Sequence, residues 1–584
     1  MDTLNVVLVG ALLLSFPILL TMHKAAAKLQ RPIIKDSPEI LEPITASFDG
    51  QLPSWMNGTL FRIGPGKFNI KRNDGSYMHI RHAFDGMPYM HRLVFSAEKN
   101  KVDYNSRNLS KEIDRKLTED PNYEPVFFGH HHDAATNLFV KLLRAYRRLR
   151  SMNIPIENRD PNDAMVGVTP TPNFPINEKH FSDVHKVGDK VLVSKTDANM
   201  LQLLDAESLE PKKLFSYTTL IPEVKGQMSA AHHQTCPSTN ELFNIVLSLG
   251  QTTSIKVISL SPDGKGTQYG EVKKRLHDGS PINPPYIHSF PLTKNYVVIP
   301  EYPLYFGGKG LPFIMEGNIE AAFRWDDKAK TYFHIISREK KEHVATIEAD
   351  PAFSFHMGNA WETENGIEFE CCVFPDGDIV QQLYSFGSPL RKSQAKTYAM
   401  KEASLTSNKI NGIRNPPIRQ PSFGNLRRYT ISFNDIAQGS GKVSARDIAS
   451  NLEFPRFNAK YTSKPSRYIW GCALETATVE QNETYDIVKV DTDTGDIRRY
   501  HRPGYACSEP IFVPKPGSND EDDGVIVALA NEFGEEEEMV DRSHVVVLDG
   551  KTLEELGKAA IGDFTPVTFH GSFVDKDFAN VSIN

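Results

Sequence analysis

Asp563-Phe564-Thr565-Pro566-Val567-Thr568-Phe569-His570-Gly571-Ser572-Phe573 reads as a strand, Thr565 to Phe569, that runs into a glycine turn and sets one imidazole at its buried end. A single histidine among aromatic residues is more often a satisfied core residue than a ligand. Three other segments repeat the arrangement, each with a histidine beside small or aromatic residues on an apolar run. They are Ser229-Ala230-Ala231-His232, Tyr286-Ile287-His288-Ser289-Phe290 and Phe353-Ser354-Phe355-His356-Met357. Four such histidines point to one metal, provided that the fold brings them to a common centre.

The rest of the chain supplies a fold that can. Short runs rich in Val, Ile, Tyr and Phe recur at Lys190–Ser194, Leu242–Leu249, Tyr296–Pro300, Ile367–Phe374, Tyr485–Val490, Gly524–Leu529 and His544–Leu548. Turn signals such as Asp263-Gly264, Asp376-Gly377 and Asp549-Gly550 separate them, as in hairpins. Helical periodicity does not alternate with these strands, which excludes a parallel α/β sheet. So many short antiparallel strands close better as a β-propeller than as one sandwich. Gly58–Gly66, GTLFRIGPG, reads as a tight turn that follows a strand; it lacks the Lys-Ser/Thr ending of a phosphate loop. His82-Ala83-Phe84-Asp85-Gly86 reads as a strand entering a turn.

Spacings of 56, 68 and 214 residues between the four histidines are unlike a helical HExxH site or a zinc finger, whose ligands share one local element. They suit ligands sent inward from separate strands around one axis. Four neutral imidazoles leave a dication's charge unbalanced, so carboxylates that accept the outer imidazole N–H must supply the balance. Glu453 in Leu452-Glu453-Phe454-Pro455-Arg456-Phe457-Asn458 and Glu509 in Ser508-Glu509-Pro510-Ile511-Phe512-Val513 stand in strand-like settings suited to that role. Taken singly, either reads equally as a surface or salt-bridged carboxylate.

Composition narrows the class. The chain has 584 residues, 24% charged and 40% hydrophobic, an ordinary globular mixture. A net charge of −7 leaves no basic excess for nucleic acid. Five cysteines without CxxC spacing argue against a disulfide scaffold or a thiolate site and favour a reducing compartment. Leu4 to Met22 carries no charge and is about long enough to cross a bilayer as a helix. Lys24, Lys28 and Arg31 follow it, which favours an amino-terminal anchor over residues 1–31 with a cytosolic main body. The alternative is a cleaved signal peptide, with Ala25-Ala26-Ala27 as the cut site.

One helix interrupts the β pattern, at Ala134–Ser151. Leu138, Phe139, Leu142, Leu143 and Tyr146 cluster on one face, while Lys141, Arg144, Arg147, Arg148 and Arg150 carry charge around the other side. The periodicity is consistent both with a helix lying in a membrane interface and with a capping helix packed on the protein. His130, His131 and His132, beside it, read as a solvated loop, and so do the acidic runs Asn519–Asp523 and Glu535–Glu538.

GTLFRIGPG, HAFDG, SEPIFV and TPVTFHG, in this order, resemble the carotenoid cleavage oxygenase family along nearly the whole chain. The resemblance implies an all-β fold, a seven-bladed β-propeller over residues 32–584 with a helical cap over the iron face. It implies Fe(2+) held by His232, His288, His356 and His570, and O2 as co-substrate. The reaction it implies is oxidative cleavage of a conjugated double bond in a carotenoid or apocarotenoid to two carbonyl products. The family's outer glutamates match Glu453 and Glu509. The third matches Asp197 in Lys195-Thr196-Asp197-Ala198-Asn199, a departure to a shorter side chain. A second departure puts His233 where the family commonly has proline after the first ligand. The family also docks on membranes through an amphipathic segment near its tunnel mouth, a role that falls here to Ala134–Ser151. A retinoid isomerohydrolase, a stilbene-cleaving enzyme and a non-catalytic carotenoid-binding propeller are the rival readings. The resulting expectation is a membrane-associated enzyme with a single-pass anchor, a cytosolic catalytic domain and no nucleic-acid partner.

Overall fold

The computed structural model describes residues 36–583 except 81, 131, 133–137, 177–180, 182–189, 251, 384–422, 476–483 and 533–540. The anchor segment 1–31 and the acidic run Glu535–Glu538 lie outside the described residues.

The described chain is built from antiparallel strands joined mostly to their sequence neighbours. Val191–Lys195, Leu201–Asp205 and Pro211–Phe215 form one such meander; Leu242–Ser248, Ser254–Leu260 and Gly266–Val272 form the next. Tyr296–Glu301, Thr331–Ser337 and Glu342–Ala349 follow in the same manner. The strands between Met357 and Gly562, except Ser440–Lys442, which pairs in parallel with Glu342–Ala349, continue it within one large hydrogen-bonded sheet. The last sheet joins the two ends of the chain. In it Gly58–Lys67 pairs on one side with Met87–Ser96 and on the other with His570–Asp575, in the register Gly58↔Asp575 to Ile63↔His570.

Strands such as Gly524–Glu532 are buried on both sides because they pack between two sets of neighbours. Along Gly524–Glu532, Val525, Val527 and Leu529 join a cluster with Leu60, Leu93 and Phe573, while Ile526, Ala528 and Ala530 join Trp470 and Ile487. Alternate residues of one strand thus bind two neighbouring sets of strands, the arrangement of a propeller-like fold. Each fully buried Val or Ile contributes roughly 1.5–3 kcal/mol to that packing.

Several sequence-based expectations shift. Thr565–Phe569 is not a strand: the strand starts at His570, and Gly571 lies within it. The partner strand explains this, because a Cβ on Gly571 would stand 2.7 Å from Cδ of Arg62 and 3.0 Å from the Phe61 carbonyl oxygen. The glycine permits close strand approach, with no turn involved. Gly58–Gly66 is itself strand, so its glycines also serve close approach; a Cβ on Gly64 would meet the Val567 carbonyl at 2.6 Å. Strand pairing begins at Ile40. His82–Gly86 forms a 3-10 turn over Ala83–Asp85, in which His82 Nδ1 accepts the Phe84 N–H at 3.2 Å. Asp85 in turn accepts the N–H groups of Phe128, Gly129 and His130. That grip buries His130 against Phe127, so this residue is not part of a solvated loop. Within Asn519–Asp523, Glu521 accepts the backbone N–H groups of Arg467 and Tyr468, a structural role rather than mere solvation.

The periodic helix spans Leu138–Met152, and residues 133–137 of the expected segment lie outside the described residues. Its amphipathicity is inverted. Phe139 is 74% exposed and Leu138 69%, whereas Arg148 is only 5% exposed. Arg148 donates to the carbonyls of Ile314 and Met315, both at 3.0 Å, and to Glu124 at 2.6 Å. Lys141 pairs with Glu316 and Arg144 with Glu124. The basic residues hold the helix to the protein while its apolar face looks outward. A second helix, Lys111–Glu119, carries too few apolar residues for its periodicity to stand out, and buries only Ile113 and Leu117. Among the described residues no helix is long and apolar enough to cross a membrane.

Candidate metal centre

His232, His288, His356 and His570 meet. All four are buried, and one ring nitrogen from each lies within 4.8 Å of the others. Each comes from the inner end of a different part of the β framework. His232 follows the short strand Met228–Ser229, and His288 precedes Tyr296–Glu301; His356 precedes Met357–Glu362, and His570 opens His570–Asp575. The short apolar runs around each histidine are the inner strands and loops that carry it.

Three of the imidazoles are tied from behind. His288 Nδ1 donates to Asp197 at 2.8 Å, His356 Nδ1 to Glu453 at 2.5 Å and His570 Nδ1 to Glu509 at 3.0 Å. Asp197 also accepts the Tyr286 hydroxyl at 3.0 Å. Glu509 is gripped further: Gly571 N–H donates to it at 2.9 Å, and the guanidinium groups of Arg62 and Arg456 stand 3.5 and 3.7 Å away. Burial alone raises the Glu509 pKa, but Arg456, His570 and Arg62 together outweigh it and hold the carboxyl down to about 2. Glu453 shares one oxygen between His356 and the Phe454 N–H, and its other oxygen is buried without a partner.

This chemistry fits a metal dication. A proton given at Nδ1 to a carboxylate leaves the far nitrogen, Nε2, as a bare lone pair. The Nε2 atoms of His356 and His570 face each other at 3.2 Å, and so do those of His232 and His570. Two lone pairs at that distance repel unless a proton or a cation stands between them. Burial pushes the His570 pKa down to about 3 and that of His232 well below its usual value, so protonation does not relieve the repulsion. A cation shared by the four nitrogens does, and the uncompensated Glu453 oxygen adds negative charge toward it. All-nitrogen donor sets of this kind suit iron, copper, nickel or zinc rather than magnesium or calcium.

Aromatic rings wall one side. Phe355 stands 5.4 Å from His288 ring to ring, and Phe84 packs on Phe355, Phe128 and Phe569. Phe454 lies over His356 at 5.0 Å and His570 at 5.5 Å, with a left-handed backbone (φ 54°) that bulky side chains rarely adopt. Sequence reading passed over Phe84 and Phe454, although both sit inside motifs it singled out. His233 is not in the cluster: its Nδ1 faces the buried Lys195 amine. Burial and then Lys195 keep the His233 imidazole neutral, and burial lowers the lysine as well.

A sequence profile of the RPE65 family, described as retinal pigment epithelial membrane protein, matches residues 35–575. The chain belongs to the RPE65 family. Its relatives in that family include the carotenoid dioxygenase of Neurospora crassa, 27% identical with 91% of this chain and 89% of the relative covered. The torulene dioxygenase of Fusarium fujikuroi is also 27% identical, with 91% and 90% covered. The beta,beta-carotene 15,15'-dioxygenase of Mus musculus is 26% identical, with 93% and 91% covered. Among solved structures, a variant of Synechocystis apocarotenoid oxygenase superposes with a TM-score of 0.68 at 18% identity, covering 93% of this chain and 98% of that one. That structural likeness bears on the fold, and agrees with the propeller-like arrangement of the RPE65 family chain described above.

Proposed function

We propose that this protein is a non-haem Fe(II) dioxygenase that cleaves a conjugated double bond of a carotenoid or apocarotenoid into carbonyl products. One observation carries the reading: four buried imidazoles converge their free nitrogens, and carboxylates hold three of them from behind. The names of the family relatives supply the substrate class.

His232, His288, His356 and His570 would hold the iron, which when bound supplies the activation of O2. The chain's own contribution is positional. Asp197, Glu453 and Glu509 fix the tautomer of their imidazoles and offset the metal's charge. Phe84, Phe355 and Phe454 make a dry aromatic wall that orients a flat polyene and excludes water.

In this reading the sheets make a seven-bladed β-propeller; the succession of antiparallel meanders and the pairing of Gly58–Lys67 with His570–Asp575 support it. The helices around Leu138–Met152 and Leu311–Glu316 serve as the cap over the iron face. In this reading residues 32–584 form the catalytic domain. The outward apolar face of Leu138–Met152 supports docking on a lipid surface, from which a carotenoid would enter. Residues 1–31, read from sequence alone, add a single-pass anchor with the catalytic domain in the cytosol.

The test is anaerobic loading with Fe(II), then aerobic incubation with carotenoids, apocarotenoids, retinyl esters and stilbenes, with products identified by mass. Two carbonyl fragments from a carotenoid or apocarotenoid are expected. Turnover confined to stilbenes or retinyl esters would overturn the substrate class.

A further inference from the structure

His232 and His356 also border open space, with Phe454 and Phe457 on its lining. There a cavity of about 120 Å³ runs from His232, His356 and Glu509 past His233 and Gln234 to the exposed Ala459. Its depth is graded: His232 and His233 are buried, Gln234 and Thr235 half-buried, Ala459 exposed. A volume of this size holds several waters, each needing roughly 10–15 Å³ by the same measure, and the lining offers them polar partners. It is a shaft from the surface to His232 and His356, lined mostly by polar groups with Met357, Phe454, Pro455 and Phe457 among them.

Residues near the carboxyl end of the chain also line this shaft. Ser582 and Ile583 line it, and the buried Arg456 side chain reaches them, donating to Ser582 Oγ at 2.9 Å and to the Ile583 carbonyl at 3.2 Å. The same guanidinium stands 3.7 Å from Glu509. A fixed cation and the tail it holds therefore border the shaft.

We propose that this shaft is the route by which the metal ion enters and leaves the four histidines, and that the Arg456–Ser582–Ile583 contact is the latch that makes exchange slow. This rests on the reading that the histidines hold a metal. A dication is strongly hydrated, and stripping its water against phenyl rings costs far more than exchanging it stepwise for imidazole, amide, carboxylate and hydroxyl groups. The imidazole, amide, carboxylate and hydroxyl groups along the shaft therefore suit it to the ion. A cation fixed in the path raises the barrier in both directions. It slows loading and loss equally and leaves the affinity, set by the histidines, unchanged.

The probe is Co(II), followed by its visible absorbance during loading of the metal-free full-length protein and during release to excess EDTA. Ending the chain at Val581 removes the Ser582 and Ile583 acceptors of the Arg456 guanidinium. Loading and release should then each speed up by about tenfold or more, the factor that one charge-assisted hydrogen bond makes in a barrier, at unchanged equilibrium affinity. Ala459→Trp, at the exposed mouth and remote from the histidines, should slow both rates, again at unchanged affinity. Unaltered rates in both variants with normal affinity would overturn the route while leaving the metal site standing. Rates that change only together with affinity would show that the tail shapes the site itself, and would overturn the latch. Failure of the unaltered protein to bind Co(II) or Fe(II) at all would instead overturn the metal reading.

Discussion

Asp197 reaches His288, its carboxylate accepting the Nδ1 proton at 2.8 Å although the side chain is one methylene shorter than those of Glu453 and Glu509. Its backbone accounts for the reach. The Asp197 carbonyl accepts the Ser229 N–H at 2.8 Å, which draws this loop against the segment that carries His232. All three outer carboxylates are therefore in place.

Removing their charge tests them. Asp197→Asn, Glu453→Gln and Glu509→Gln should each lower metal affinity or single-turnover rate by roughly 10–100-fold. Glu509→Gln should also lower the melting temperature, because it strips the buried Arg62 and Arg456 of their shared counter-charge. Asp197→Glu should keep the metal but lose about 1–3 kcal/mol of stability through overpacking, since Tyr286 already contacts the carboxylate. Full iron occupancy and unaltered rate in all three neutral variants would leave these residues as ordinary structural carboxylates.

Each of His232→Ala, His288→Ala, His356→Ala and His570→Ala should abolish activity and cut iron content to a small fraction of one ion per chain. His233→Ala should retain the iron, since that ring faces Lys195. Metal analysis of the five purified variants decides this. A metal-free His233→Ala beside a metal-replete His232→Ala would reverse the assignment of the first ligand.

Leu138, Phe139 and Leu142 are exposed on a helix held by its basic face, so changing all three to Ser should leave thermal stability nearly unaltered. Binding to phosphatidylcholine vesicles and turnover of a vesicle-borne carotenoid should both fall. A large drop in melting temperature would show that this face packs on protein instead.

Acid should destabilise the fold through buried neutral histidines. Burial, aided by Arg62, holds His91 at about 3, and its Nε2 is buried with no acceptor that a second proton could use. Burial and the nearby His334 hold His343 at about 3 as well. Between pH 3 and 6.5 the unfolded chain takes up protons that these folded residues refuse. Their contribution is present above pH 6.5 and is lost as the pH falls, by about 2 kcal/mol per histidine at pH 5. Urea midpoints at pH 7 and pH 5 measure the loss, and His91→Gln should flatten the difference.

Much of the site was legible because its chemistry required residue types in unusual company: a histidine or a carboxylate inside an apolar strand has few other reasons to be there. What stayed hidden depends on partners far along the chain. Thr565–Phe569 reads as strand by composition, yet His570–Asp575 is the stretch that Gly58–Ile63 pairs with, and that choice is made hundreds of residues away. Glycines in GTLFRIGPG suggested a turn because sequence cannot show that another strand presses on them. The Leu138–Met152 helix gave its period correctly, but which face packs depends on Glu124, Glu316 and the Ile314 carbonyl. Phe454 reveals its backbone strain only once the strand bulges between Glu453 and Arg456.

The seam between Gly58–Lys67 and His570–Asp575 also sets an order of events during biosynthesis. His570 arrives on that closing strand, so a nascent chain can present at most three of the four imidazoles until nearly all of it has been translated. Only when His570–Asp575 pairs with Gly58–Lys67 does the fourth imidazole join the other three, and a polypeptide released before His570 lacks both the seam and that imidazole.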